Sequence, residues 1–311
     1  MNNINESHYN DEIDLKELFN ALILGKWIIL TFITFASILS IIYSLSLPNI
    51  YQSKALLLPN ESGGSVSRAL QSYSGLAGLA GINLPSQEGD SNSMRAKKKI
   101  NSLSFFESNI MPNIFLPNLM ALESWNPDKN LITYDNNIYD VISNTWTRKF
   151  SYPQKQIPSP QESFQVFKSN HLSIAEDSMT GFITISVKHQ SPYIAKNWTE
   201  LLINQINSFY REKDKTEAEK AVNYLNEQIS KTKLTEIKQV IAALLQQETQ
   251  KLALIEANEF YVFEYIDPPV VMEKKSEPSR SILCIIGAFI GGVLGVIIVL
   301  FRYYLFLKRN S

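Results

Sequence analysis

The sequence predicts an α+β domain held between two membrane helices. Three observations predict it. Two uncharged apolar runs lie near the ends of the chain. Strand-like segments with alternating apolar residues lie between them. A stretch of about 65 residues then passes without a glycine.

The first run, Trp27 to Leu47, carries no charge over about 21 residues, enough to cross a hydrocarbon core of roughly 30 Å as a helix. The second, Ile282 to Phe301, reads ILCIIGAFIGGVLGVIIVLF. A cleaved signal peptide is the rival reading of the first run. Against it stand the length of the run, the acidic residues Asp11, Glu12, Asp14 and Glu17 ahead of it, and only a weak cleavage cue at Ser44 and Ser46. A retained anchor is therefore expected. The layout is an N-terminal segment 1–26, a span 27–47, a main domain 48–281, a span 282–301 and a tail 302–311. Lys16 and Lys26 flank one side, with Arg302, Lys308 and Arg309, while Lys54, Lys274, Lys275 and Arg280 flank the other. That balance is nearly even, so the positive-inside rule leaves sidedness open.

Ahead of the first span, Ile13, Leu15, Leu18, Phe19, Leu22 and Ile23 recur at helical spacing, with Asp14 as N-cap. A short amphipathic helix at the membrane surface is expected. Pro48 stops the span. Ile50 to Leu58 (IYQSKALLL) reads as a strand, and residues 60–93, with SGGS and GLAGLAG, as a surface segment. No Gly-Lys-Ser/Thr or GxGxxG accompanies those glycines, so they do not read as a phosphate loop.

Short helices are expected around 94–110, 113–123 and 137–149, separated by prolines. From Ser163 the pattern shifts to strand, with a hairpin of His171–Ala175 and Phe182–His189 about Asp177–Gly181. Ile183, Ile185 and Val187 alternate as one face of a sheet. A long helix then covers about 192–257, with Pro192 suited to its first turn. Its charged stretch REKDKTEAEK (211–220) cannot be buried all round, so the helix projects into water, and KTKLTE (231–236) is the point at which it turns back. Phe260 to Asp267 is a returning strand. Pro268, Pro269 and Pro278 form a stiff lead into the second span.

Net charge is −1, so no basic field marks nucleic-acid binding. The only cysteine, Cys284, lies in the second span, and the main domain forms no disulfide. His8, His171 and His189 lack metal-ligand spacing; a polar sheet role suits the last two better than a paired site. No nucleophile elbow, HExxH or kinase signature is present. No catalytic residue, cofactor or metal is expected. One feature of the second span does carry a mechanism. Gly287, Gly291 and Gly295 repeat every fourth residue on one face, which lets another helix approach closely in lipid. The partner is either the first span or a neighbouring protomer.

These segments together resemble the Wzz-type chain-length determinants, the polysaccharide co-polymerases of Gram-negative inner membranes. The resemblance rests on the IDLxEL segment, the strand IYQSKALLLP, and the late run TEIKQVIAALLQQETQKLALIEANEFYVFEYIDPPVVMEKKSEPSRS before the glycine-striped span. It implies a periplasmic domain with a small mixed sheet at a membrane-proximal base and a helical trunk or hairpin above it. It also implies cytoplasmic termini and a homo-oligomeric, octamer-like ring. The partners it implies are a Wzy-type O-antigen polymerase and lipid-linked polysaccharide. The implied role is setting the modal chain length of O-antigen on lipopolysaccharide. A co-polymerase for enterobacterial common antigen or an exopolysaccharide, and a two-span sensor, are the alternatives. The proline lead, Glu277-Pro278-Ser279-Arg280, is thinner than the family's pattern, and no Walker motif precedes Ser311, so a kinase-bearing relative is not expected.

Overall fold

The computed structural model describes residues 15–60 and 92–309. The glycine-serine segment, His8 and the Asp14 cap fall outside the described residues. The chain forms two units, 1–49 with 276–311 and 50–275.

The first unit is helical: α1 (Leu15–Leu24), α2 (Lys26–Ser46) and α8 (Arg280–Arg309). Gly25 separates α1 from α2, its N–H donating to the Ala21 carbonyl and its own carbonyl accepting from Ile28 and Ile29. Ala21 is buried against this bundle.

The second unit is built on a four-stranded sheet in the order β6 (Leu172–Glu176), β7 (Ile183–His189), β1 (Tyr51–Pro59), β8 (Phe263–Asp267). The α+β expectation is borne out, but the strand directions need correction: every pairing is antiparallel rather than mixed. The cause is topological. A helical crossover returns β8 parallel to β7, yet β1 lies between them and runs against both, so no two neighbours are parallel.

That crossover is α6 (Pro192–Lys231) and α7 (Thr235–Ala257). Thr232 and Leu234 take extended dihedrals, which breaks the helix within the expected 231–236 stretch. The two helices run antiparallel. Lys215 pairs with Glu256 at 3.0 Å, and the Tyr261 hydroxyl donates to Asp214 at 2.7 Å. At 1.5 Å per residue, α6 is roughly 60 Å long.

The N-terminal part of α6 seals the sheet. Trp198, Leu202, Ile203, Ile206 and Tyr210 are buried against Ala55, Leu57, Ile183, Ile185, Val187 and Phe263. At the far end of this layer Asn207 is itself buried. Its Oδ1 accepts from the N–H groups of Val262 and Phe263 at 2.8 Å each, and its Nδ2 donates to the Phe263 carbonyl at 2.9 Å. The side-chain amide thus pairs with backbone as a strand would, fastening α6 to the start of β8.

The region 92–171 packs on the same core through α3 (Asn92–Ile100), a run of helical turns over 103–113, α4 (Leu116–Met120) and α5 (Pro160–Val166). Phe105, Phe106, Ile110 and Phe167 are among the residues it buries there. Three expectations fail here. Residues 137–149 are not helical but form a minimal hairpin, β4 (Tyr139–Asp140) with β5 (Thr145–Trp146). A second hairpin, β2 (Leu122–Asn126) with β3 (Leu131–Tyr134), takes the place of the end of the helix expected over 113–123. Asn130 and Asn144 make the turns, at φ +48° and +52°, a conformation that asparagine tolerates better than most residues. Helix also continues past Ser163, through α5 and a further turn, Phe167–His171, before strand begins at Leu172.

Candidate functional site

Within the first unit, α2 and α8 pack antiparallel, and the three glycines of the second apolar run lie on the seam. A Cβ at Gly287 would stand 2.4 Å from the Ser40 Cβ; at Gly291, 2.7 Å from the Ala36 Cβ and the Phe32 carbonyl oxygen; at Gly295, 2.8 Å from the Ile29 Cα. The neighbouring Gly292 is different, since a Cβ there would meet only Ile33, at an ordinary 3.6 Å. The seam extends at both ends. Ser40 Oγ donates to the Leu283 carbonyl at 2.7 Å, and Gly25 leaves room for the side chain of Val299, one turn beyond Gly295. Close backbone approach is what holds such helices together where lipid removes the hydrophobic drive.

Away from the seam the pair presents apolar side chains outward. Phe35, Ile285, Phe289 and Phe301 are all more than 60% exposed. Mean hydropathy reaches 2.3 in α2 and 2.9 in α8. A soluble core helix would bury such residues. An apolar exterior over a length that matches the hydrocarbon core suits lipid as solvent.

Of the proline lead, Pro268 and Pro269 follow β8 in the sheet-bearing unit, where Pro269 is buried. Ser53 Oγ fixes this segment by donating to the Val270 carbonyl at 2.9 Å. Pro278 belongs to the helical unit, just before α8, and follows a cis peptide bond. There the guanidinium of Arg280 donates to Asn49 Oδ1 at 3.1 Å.

His189, at the end of β7, is buried, and His171, in the helical turn before β6, is half-buried beside it. Their ring centroids are 5.7 Å apart, and Trp198 packs edge-on to both. His189 Nδ1 accepts from the Ser191 N–H and its Nε2 donates to the Asn118 carbonyl, which fixes a neutral tautomer. Burial pushes the His189 imidazole down to about 4, against the hydrogen bond to the Asn118 carbonyl, and His171 adds repulsion in the same direction as burial. Burial also lowers His171, against its contact with the Lys188 carbonyl. With both nitrogens of His189 taken, the pair is not a ligand set, and no cluster of three or more metal-ligating side chains occurs among the described residues. The signal was present in the sequence: His189 is in phase with Ile183, Ile185 and Val187, whose face is the buried one.

The helical hairpin supplies the remaining surface. Leu234, Ile237, Val240 and Leu244 are exposed along the start of α7, and Tyr224 is exposed on α6.

Comparison with known proteins bears on the family. Residues 11–110 match the family model Wzz, chain length determinant protein, which is the family that the sequence resembles. No curated protein sequence matches the chain. Among solved structures, a full-length bacterial polysaccharide co-polymerase is 14% identical with a TM-score of 0.38, the alignment covering 96% of this chain and 99% of that one. A fragment of WzzB, a polysaccharide co-polymerase from Salmonella Typhimurium, is also 14% identical, with a TM-score of 0.26 over 74% of this chain and all of that one.

Proposed function

We propose that this protein, a polysaccharide co-polymerase of the Wzz chain-length determinant family, sets the modal length of O-antigen chains together with a Wzy-type polymerase. The observation that carries the reading is the family match over residues 11–110. Proteins of this family regulate polymerisation rather than catalyse it.

In this reading α2 and α8 cross the inner membrane, residues 48–281 stand in the periplasm and both termini are cytoplasmic. The glycine seam at Gly287, Gly291 and Gly295 holds the two spans as one unit, whose outer faces meet lipid and the polymerase. The exposed apolar row of Leu234, Ile237, Val240 and Leu244 supports lateral packing of copies into a ring, octamer-like in the family. Many weak side-by-side contacts are the natural use of a helical hairpin with one apolar stripe. Pro268, Pro269 and Pro278 act as stiff links between sheet and span.

A chromosomal deletion tests the role. Loss of the modal ladder in lipopolysaccharide gels, restored by the gene in trans, is the expected result. An unchanged ladder with altered length of another surface glycan would move the assignment to that glycan. Reporter fusions at residue 150 test the topology: activity of a periplasm-specific reporter is expected, and a cytosolic signal would overturn it.

A further inference from the structure

We propose that the groove between the turn Phe106–Ile110 and residues 208–220 of α6 binds a short stretch of neutral polysaccharide; this rests on the reading of the chain as a regulator of polysaccharide length. The groove is open and holds about 560 Å³, within the range of about 300–1,000 Å³ usual for ligand clefts.

Both walls are anchored. Helix α6 seals the sheet as far as Tyr210 and carries the charged stretch 211–220 past it. Opposite, Phe105, Phe106 and Ile110 are buried in the core, which fixes the turn that brings Asn109 to the rim. Phe209 lies between the walls and is half-buried. Phe105 meets its ring edge-on at 6.0 Å, and the Lys99 ammonium stands 4.8 Å from its centre. Neither wall can shift without disturbing the core.

The polar groups along the groove are unspent. Ser208, Glu212, Thr216 and Lys220 recur every fourth residue, so they share one face of α6. Elsewhere in the hairpin, Thr199, Ser230 and Thr249 return their hydroxyls to a carbonyl one turn back, the ordinary use of a hydroxyl inside a helix. Ser208 and Thr216 do not. Among the described residues neither hydroxyl makes a hydrogen bond, nor does the Asn109 side-chain amide or the Lys220 ammonium.

The chemistry of the lining narrows the occupant. Glu212 and Glu217 balance Lys213 and Lys220, and Lys213 stands 3.7 Å from Glu217 as a pair. A phosphate or other anion would meet two carboxylates, and a wholly apolar ligand would strand the polar rim. A sugar avoids both penalties. Each hydroxyl round its edge donates and accepts, while its C–H faces pack on an aromatic ring such as Phe209. Carboxylate, ammonium, amide and hydroxyl together supply partners for those hydroxyls.

The test is calorimetric titration of the full chain in mild detergent. The probes are the polysaccharide released from lipopolysaccharide of the strain that carries the gene, the exopolysaccharide of that strain, and polyphosphate as an anionic control. Thr216→Ala is expected to raise the dissociation constant for the first probe about fivefold, and Glu212→Gln about tenfold, for one neutral and one charged hydrogen bond. Glu219→Gln, exposed on the same helix but outside the groove, is expected to leave it unchanged. Circular dichroism checks folding.

Parental affinity in both groove variants, or equal affinity for polyphosphate, would overturn this inference and leave the length-regulating role standing. Binding of the exopolysaccharide alone, weakened by both variants, would support the groove and overturn the O-antigen reading. Absence of binding by either glycan would overturn the inference, while the deletion ladder decides the role separately. Smaller assemblies in both variants with glycan binding unchanged would give the groove to an interface between copies, which also overturns it.

Discussion

The α-carbon of Gly291 lies so close to Ala36 that a single added methyl would stand 2.7 Å from the Ala36 side chain and equally close to the Phe32 carbonyl oxygen. Backbone on one side of that contact cannot yield, so the two apolar helices keep this approach only while residue 291 has no side chain.

Gly291→Ala is therefore expected to destabilise the helix pair by about 1–3 kcal/mol, the usual cost of overpacking. Gly292→Ala, one residue along, meets only ordinary contacts with Ile33 and is expected to be silent. Thermal unfolding in mild detergent distinguishes them. Equal behaviour of the two variants would count against the seam.

Asn207 is the polar fastener between α6 and β8. Asn207→Ala orphans the buried N–H groups of Val262 and Phe263 and the Phe263 carbonyl. The expected loss is at least about 3 kcal/mol, from roughly 1–3 kcal/mol for each of the three groups left unpaired. A melting temperature unchanged from the parent would show that the three bonds contribute nothing net.

His189 makes the domain acid-sensitive. Its folded value is held at about 4, below the ordinary 6.5, so between these pH values the unfolded chain binds the extra proton. Stability is full above about 6.5, falls as pH drops toward 4, and has then lost about 3 kcal/mol. The lowered His171 acts in the same direction. Denaturation midpoints across this window are expected to flatten in His189→Gln; an unchanged slope would place the acid sensitivity elsewhere.

Ala221→Pro tests the trunk. Proline inside α6 removes a backbone donor and clashes with the preceding turn, costing about 3 kcal/mol or more. Reduced helicity and loss of high-mass assemblies in detergent are expected. Assemblies of parental size would mean that the hairpin beyond this point does not take part in them.

The sequence pattern was most legible where one period runs long. The two apolar runs and the stretch 192–257 each repeat a helical signal for many turns, so local preference and tertiary outcome coincide, down to the break within KTKLTE. It was least legible in 122–149. There β4 and β5 are two residues each, and Ile138, Tyr139, Val141 and Ile142 imitate a helical spacing. What decides the conformation is aromatic packing of Tyr139 on Trp146, Phe115 and Tyr134, together with the left-handed turns at Asn130 and Asn144. Ile142, which a helix would have had a use for, is left almost wholly in solvent.

The sequence by itself determined two lipid-length helices, a projecting helical crossover and a face of glycines, because each is a property of consecutive residues in a regular backbone. Only the tertiary structure decided which surface those glycines meet, that β1 wedges between β7 and β8, and that His171 and His189 pack together against Trp198. Those outcomes join residues up to 266 positions apart, and nothing in local spacing encodes which distant backbone will fill the space that a glycine leaves.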